Sequence, residues 1–206
     1  MKPSSESKPT TLQHFDTQSE KYDQLLGRWP ISQFKANERK VVLDLLGSVA
    51  DQRFLDVGCG HGFYLRSVLP EQPLCATGVD LSPSMVAALP DTVEGIVGDG
   101  ASFTVSQSYG RIVCAGLLEF VDQPVEVLKN IRRFATEETV LVLLNPRPGF
   151  WGTLYTLYHR SHGVSIHLFT PETVKQQAAS AGWTLTNVKK SWPLATAYQL
   201  IPTVGP

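Results

Sequence analysis

The sequence predicts an α/β fold: an open, mainly parallel sheet of seven strands with helices on both faces and a C-terminal antiparallel hairpin. Three observations lead to this prediction. Short apolar runs alternate with segments of helical apolar spacing, as in strand–helix–strand units. The fifth run, Thr-Val-Leu-Val-Leu-Leu at residues 139–144, is the apolar strand expected at the centre of a parallel sheet. The last two runs have no helix between them, which favours a closing hairpin.

Seven apolar runs define the strands. The first is followed directly by a glycine-rich turn, and the second and third are each followed by an acidic residue, Asp80 and Asp99. Because ligands bind at the carboxyl ends of strands in open parallel sheets, these acids are candidate binding residues. In chain order the predicted strands are residues 54–57, 74–79, 93–97, 111–115, 139–144, 183–189 and 196–204.

Helices are predicted between most of these strands and before the first one. Ser82 and Thr170 are each followed by proline, the arrangement of an N-cap and a first helical residue. Gly47 and Gly182 follow the last apolar residues of their helices and are natural C-terminal ends. The predicted helices are residues 33–46, 63–69, 83–89, 125–134 and 171–181.

Composition limits the class of protein. The 206 residues suit one domain with a substantial core, predicted over residues 12–206, after a polar and disordered tail at residues 1–11. A net charge of -1 and the lack of dense basic runs argue against a nucleic-acid partner. No apolar run is long enough for a transmembrane segment. The odd number of cysteines, Cys59, Cys75 and Cys114, favours reduced thiols and a cytoplasmic location.

The turn after the first strand carries the strongest functional signal. Asp56 lies within that strand, and glycines occupy alternate positions after it: Gly58, Gly60 and Gly62. Such a turn between a strand and a helix brings bare backbone close to a ligand. A dinucleotide fingerprint needs glycine at the first, third and sixth positions, but the sixth position is Phe63 or Leu65 in the two registers. The spacing therefore disfavours a dinucleotide site.

The pattern from Asp56 to Gly62 instead resembles motif I of class I S-adenosylmethionine-dependent methyltransferases, which have a Rossmann-like fold. The resemblance implies that the loop passes under the amino-acid part of S-adenosylmethionine and that Asp56 helps to hold its ammonium group. It also implies that Asp80 bonds the ribose hydroxyls and Asp99 the adenine amino group. The full set of cofactor-binding residues implied is Tyr22, Asp56, Gly58, Cys59, Gly60, Gly62, Asp80, Leu81, Asp99, Gly100, Ala101 and Ala115.

Structural alternatives exist for several of these residues. Asp80 can serve as a cap near Ser82, and Asp99 between two glycines can simply form a turn. The segment at residues 15–23 is similar to the N-terminal helix of small-molecule methyltransferases, including those of quinone biosynthesis. Tyr22 would then cover the cofactor, or it would anchor that helix to the sheet.

The segment after the fourth strand looks like the part of the family that lines the methyl-transfer chamber. This segment often carries a Glu-His pair, but here Glu119 is followed by Phe120, so one common candidate base is missing. The Asn145-Pro146-Arg147-Pro148 sequence follows the fifth strand and is predicted to be a loop.

That loop opens a predicted lid over residues 145–169, which is rich in aromatic residues and histidines. The candidate catalytic or substrate-orienting residues are His159, His162 and His167. No carboxylate or cysteine accompanies them, so no metal site is predicted. The aromatic residues favour an apolar or aromatic small-molecule acceptor, although they also fit a helix packed on the edge of the sheet.

The sequence thus favours methyl transfer from S-adenosylmethionine to a small molecule, expected at oxygen, with S-adenosylhomocysteine as the product. Catalysis would depend on in-line alignment of the reacting groups. Two alternatives are a nicotinamide-dependent oxidoreductase and a non-catalytic S-adenosylmethionine-binding regulatory module. Either a monomer or a homodimer is expected.

Overall fold

The computed structural model describes residues 31–203. The predicted tail at residues 1–11 and the predicted cofactor contact of Tyr22 lie outside the described residues. Within the described range, no helix combines the length and the apolar character needed to cross a membrane.

Seven strands form one sheet, as predicted. They are β1 (Arg53–Val57), β2 (Cys75–Asp80), β3 (Glu94–Val97), β4 (Tyr109–Ala115), β5 (Ala135–Pro146), β6 (Trp183–Ser191) and β7 (Ala195–Pro202). Their order across the sheet is β3-β2-β1-β4-β5-β7-β6. The first five strands pair in parallel, whereas β7 is antiparallel to both β5 and β6. The C-terminal hairpin is therefore confirmed, and β7 lies between β5 and β6.

The helices are α1 (Ile31–Leu46), α2 (Phe63–Val68), α3 (Pro83–Ala87), α4 (Pro124–Arg132), α5 (Phe150–Ser161) and α6 (Pro171–Ser180). The two predicted N-caps are confirmed: Ser82 Oγ accepts a hydrogen bond from Met85 N at 3.3 Å, and Thr170 Oγ1 accepts one from Thr173 N at 3.2 Å. Short 3-10 turns occupy Leu69–Glu71 and Leu118–Phe120.

Alternate side chains of the central strands enter two separate cores, because successive residues of a strand point to opposite faces. Phe54 and Val113 pack with α1 and α2 on one face. Leu55 and Ile112 pack with α4 and α6 on the other face. The prediction of helices on both faces is confirmed.

The loop prediction for Asn145 and Pro146 was wrong. Both residues belong to β5 and pair with Thr196 and Ala195 of β7. The parallel pairing of β5 with β4 ends at Leu144 of β5. The antiparallel pairing of β5 with β7 continues for two more residues. The insertion predicted to be a lid therefore begins after the strand and is built around α5.

Candidate functional site

The glycine turn after β1 is tied to the end of β2. The backbone amides of Gly58 and Cys59 both donate to Val79 O, at 2.8 and 3.0 Å. Gly60 has a φ of +51°, in the left-handed region that residues with a Cβ disfavour. Among the described residues, no atom lies within 4 Å of where a Cβ on Gly60 would be. The turn therefore leaves open space at Gly60.

Asp80 braces this turn. Its Oδ2 accepts a hydrogen bond from Gly60 N at 2.9 Å, and its Oδ1 accepts one from Ser82 N at 3.0 Å. The side chain that caps α3 is that of Ser82, so Asp80 is not the helix cap. Each carboxylate oxygen can accept a second hydrogen bond, and Asp80 is only partly buried. The geometry leaves Asp80 able to bond a ligand while it holds the turn.

Asp99 forms a turn, which is the structural role that the sequence offered as the alternative to ligand binding. Its Oδ1 accepts from Ala101 N at 2.7 Å, and its backbone oxygen accepts from Phe103 N at 2.8 Å. The side chain is exposed at the end of β3, next in the sheet to the end of β2. A turn role and a ligand role are compatible here, because this turn presents the carboxylate to solvent.

Asp56 is the electrostatic anomaly of the site. It lies on β1 and is 2% exposed, and its Oδ2 has no hydrogen-bond partner in the part of the chain that the structure describes. Burial, and then the charge of Asp80, raises the pKa of the Asp56 carboxyl to about 8. An isolated buried carboxylate is costly. A cationic group placed against it would remove that cost.

The other predicted cofactor residues differ in exposure. Leu81 is 48% exposed directly after β2, and Ala115 is partly buried at the end of β4. The Cys59 side chain is buried, and burial, followed by the charges of Asp56 and Asp80, raises the pKa of its thiol. Cys59 is therefore a packing residue of the turn and is not a reactive thiolate.

The three candidate histidines have different surroundings. The ring of His159 is buried and lies 5.5 Å from that of Phe120, after β4. His162 ends α5, where its Nδ1 lies 2.8 Å from Tyr158 O, and its side chain is exposed. His167 Nε2 lies 3.9 Å from Asp122 Oδ1, and both of these side chains face solvent. The described residues contain no group of three or more ligating side chains placed to hold a metal ion.

Sequence analysis missed a buried polar pair at the ends of β4 and β5. Glu119 Oε2 accepts a hydrogen bond from Asn145 Nδ2 at 3.0 Å, and the two residues are 3% and 1% exposed. Burial raises the pKa of Glu119 to about 7, although its own backbone amide and Asn145 act in the opposite direction. An acidic residue in an otherwise apolar segment was the available signal for Glu119. The role of Asn145 was not predicted because the residue was assigned to a loop.

Comparisons with known proteins agree with this geometry. The family model described as "Methyltransferase domain" matches residues 19–188. The ubiquinone biosynthesis O-methyltransferase of Marinobacter nauticus is 30% identical over 127 residues, which are 53% of each chain. The tRNA U34 carboxymethyltransferase of Sulfurimonas denitrificans is 23% identical over 128 residues, 58% of this chain and 43% of the relative. The chain spans about half the length of the curated relatives it matches.

The fold is likewise that of a solved methyltransferase. Magnesium protoporphyrin IX methyltransferase from Synechocystis PCC 6803, solved with bound S-adenosylhomocysteine, superimposes with a TM-score of 0.73 at 12% identity. The match covers 93% of this chain and 97% of that one, and it confirms the Rossmann-like architecture. Since the family model covers most of the sequence, the chain belongs to the methyltransferase domain family.

Proposed function

We propose that this protein binds S-adenosylmethionine and transfers its methyl group to an oxygen atom of a small-molecule acceptor. The observation that carries the proposal is the partnerless, buried Oδ2 of Asp56 next to an open glycine turn. A carboxylate in this position suits an ammonium group, and S-adenosylmethionine has one. Several relatives of the chain are named as O-methyltransferases, which supports the same reading.

The order of the strands gives the cofactor a direction. Asp99 follows β3, whereas Asp80 and Asp56 lie on β2 and β1; the three strands are consecutive in the sheet. Adenine beside Asp99, ribose beside Asp80 and the amino-acid part beside Asp56 would follow that order. Leu81, Gly100 and Ala101 would line the adenine end.

When bound, S-adenosylmethionine supplies a methyl group that its sulfonium sulfur already makes electrophilic. The residues of the chain then have to position the acceptor and keep water away. Asp80 holds the glycine turn through Gly60 N and keeps the backbone of the turn in place. A protonated acceptor also needs a group that takes its proton.

Aromatic side chains support an apolar or aromatic acceptor. Phe120 and Tyr155 contact His159, with ring centroids 5.5 and 4.5 Å apart. A second aromatic cluster joins Phe34 of α1 to Trp192, at 5.3 Å. These rings lie on elements that adjoin the ends of β4 and β5, where planar groups would find flat apolar walls. Among the candidate histidines, His159 contacts this region through its ring, and His167 contacts it through its backbone N, which donates to Glu119 O at 2.9 Å.

Calorimetric titration of the protein with S-adenosylmethionine, S-adenosylhomocysteine and oxidised nicotinamide dinucleotide tests the donor. We expect the two adenosyl compounds to bind and the dinucleotide not to bind. Tighter binding of the dinucleotide would favour the oxidoreductase alternative. A screen of hydroxylated metabolites for formation of S-adenosylhomocysteine then separates an enzyme from a regulatory module, which would bind the donor without turnover.

A further inference from the structure

The carboxyl ends of β4 and β5 are the part of the sheet edge that the cofactor assignment leaves for the acceptor. The three acids assigned to the cofactor lie on or just after β3, β2 and β1, and β4 and β5 come next in the sheet. The segment after β4 also touches the glycine turn, since a Cβ on Gly58 would lie 2.9 Å from Leu117 Cβ. The segment that carries Glu119, two residues beyond Leu117, therefore adjoins the glycine turn.

Glu119 and Asn145 occupy this position as one hydrogen-bonded pair. Asn145 Nδ2 donates to Glu119 Oε2 at 3.0 Å. The other carboxyl oxygen, Oε1, faces Gly116, where a built Cβ would lie 3.9 Å away. The amide oxygen of Asn145 is buried and has no hydrogen-bond partner among the described residues. The pair therefore offers two oxygens, one of them partnerless, to a ligand that carries a hydrogen-bond donor.

The surroundings favour an aromatic hydroxyl as that donor. Phe120 follows Glu119 directly, and its ring packs against His159 of α5. The charged groups near Glu119 are Lys35 and Glu38 of α1, whose charges act on it in opposite directions. Because burial brings the pKa of Glu119 to about 7, its carboxyl can both take up and release a proton near neutrality.

We propose that Glu119 is the catalytic base for a phenolic acceptor and that Asn145 is its positioning residue. This inference rests on the proposed methyl transfer. In the step, the phenolic O–H proton moves to Glu119 Oε1, and the oxygen forms a bond to the methyl carbon. The bond between that carbon and the donor sulfur breaks, with its electron pair staying on sulfur. Glu119 then releases this proton to solvent.

Binding of para-nitrophenol to the protein saturated with S-adenosylhomocysteine tests the base without knowledge of the natural acceptor. This phenol ionises near neutrality, and its phenolate is yellow. At neutral pH we expect the wild-type complex to bind it with an increased phenolate band. Glu119→Gln should lose this increase over the band of the free phenol and weaken binding by about tenfold or more, since a charged hydrogen bond is lost. Glu138→Gln, which changes an exposed carboxylate near the opposite end of β5, is the matched control and should behave as wild type.

Asn145→Ala gives an independent second test. Its amide lowers the pKa of Glu119, so without it more of the carboxyl is already protonated at neutral pH. We therefore expect a weaker phenolate band and an unchanged affinity for S-adenosylhomocysteine. The inference would be overturned if the wild type did not bind para-nitrophenol, or if the phenolate band of both site variants were as strong as that of the wild type. Failure to bind S-adenosylhomocysteine would instead overturn the proposed function, so the two failures are distinguishable.

Discussion

The ionised carboxyl of Asp56 is expected to lower the stability of the protein and to strengthen ligand binding. Burial, followed by the negative charge of Asp80, raises the pKa of the Asp56 carboxyl from its ordinary 3.8 to about 8. Below the lower value the carboxyl is protonated in both the folded and the unfolded chain. As the pH rises through the window between the two values, the unfolded chain releases the proton first. The free energy of unfolding therefore falls across this window, and the loss is complete above about pH 8.

The size of the effect follows from the two pKa values. Each pH unit between them is worth about 1.4 kcal/mol, so the full loss is about 6 kcal/mol. This is a large part of the ~5–15 kcal/mol by which a typical domain is stable. Asp56→Asn keeps the shape of the side chain and removes its charge. We expect this variant to gain several kcal/mol over the wild type at alkaline pH, while its binding of S-adenosylmethionine weakens by about 1–3 kcal/mol.

Urea unfolding of the ligand-free protein at acidic, neutral and alkaline pH measures the first effect. Comparison of two proteins that differ only at Asp56 cancels the contribution of Glu119, which titrates in an overlapping range. Asp91→Asn, at an exposed position, is the matched control and should follow the wild type. Parallel pH profiles for Asp56→Asn and the wild type would refute the reasoning from the buried carboxyl. Undiminished S-adenosylmethionine binding would remove Asp56 from the ammonium site.

Three further predictions use other residues. Asp80→Ala should weaken S-adenosylmethionine binding by about 1–3 kcal/mol because charged hydrogen bonds are lost, and an unchanged calorimetric affinity would exclude the ribose assignment. His162→Ala or His167→Ala should lower turnover without weakening cofactor binding; normal turnover in both would leave His159 as the candidate. Trp183→Phe removes the buried bond from Trp183 Nε1 to Leu128 O, 3.0 Å long, and should lower the free energy of unfolding by about 1–3 kcal/mol in urea titrations.

Local features of the sequence were sufficient to place the residues proposed for the cofactor at one edge of the sheet. The glycines of the turn, Asp80 and Asp99 lie at or just after the carboxyl ends of β1, β2 and β3, so their place at one edge of the sheet follows from parallel pairing alone. Ser82 and Thr170 likewise cap their helices through residues only three positions away. Contacts over such short separations depend little on the rest of the chain, and the sequence pattern predicts them.

The Glu119–Asn145 pair, proposed for the acceptor, depended on distant pairing. Asn145 is part of a strand because β7, some fifty residues later in the chain, extends the ladder past the end of β4. That extension places its amide on Glu119, 26 residues earlier. The ionisation of both buried carboxyls, Asp56 and Glu119, is likewise set by burial and by neighbouring charges. The sequence by itself determined the order of strands and helices, the glycine turn and the acids that follow it. Only the tertiary structure decided which polar groups lose contact with water, because burial results from packing between segments far apart in the chain.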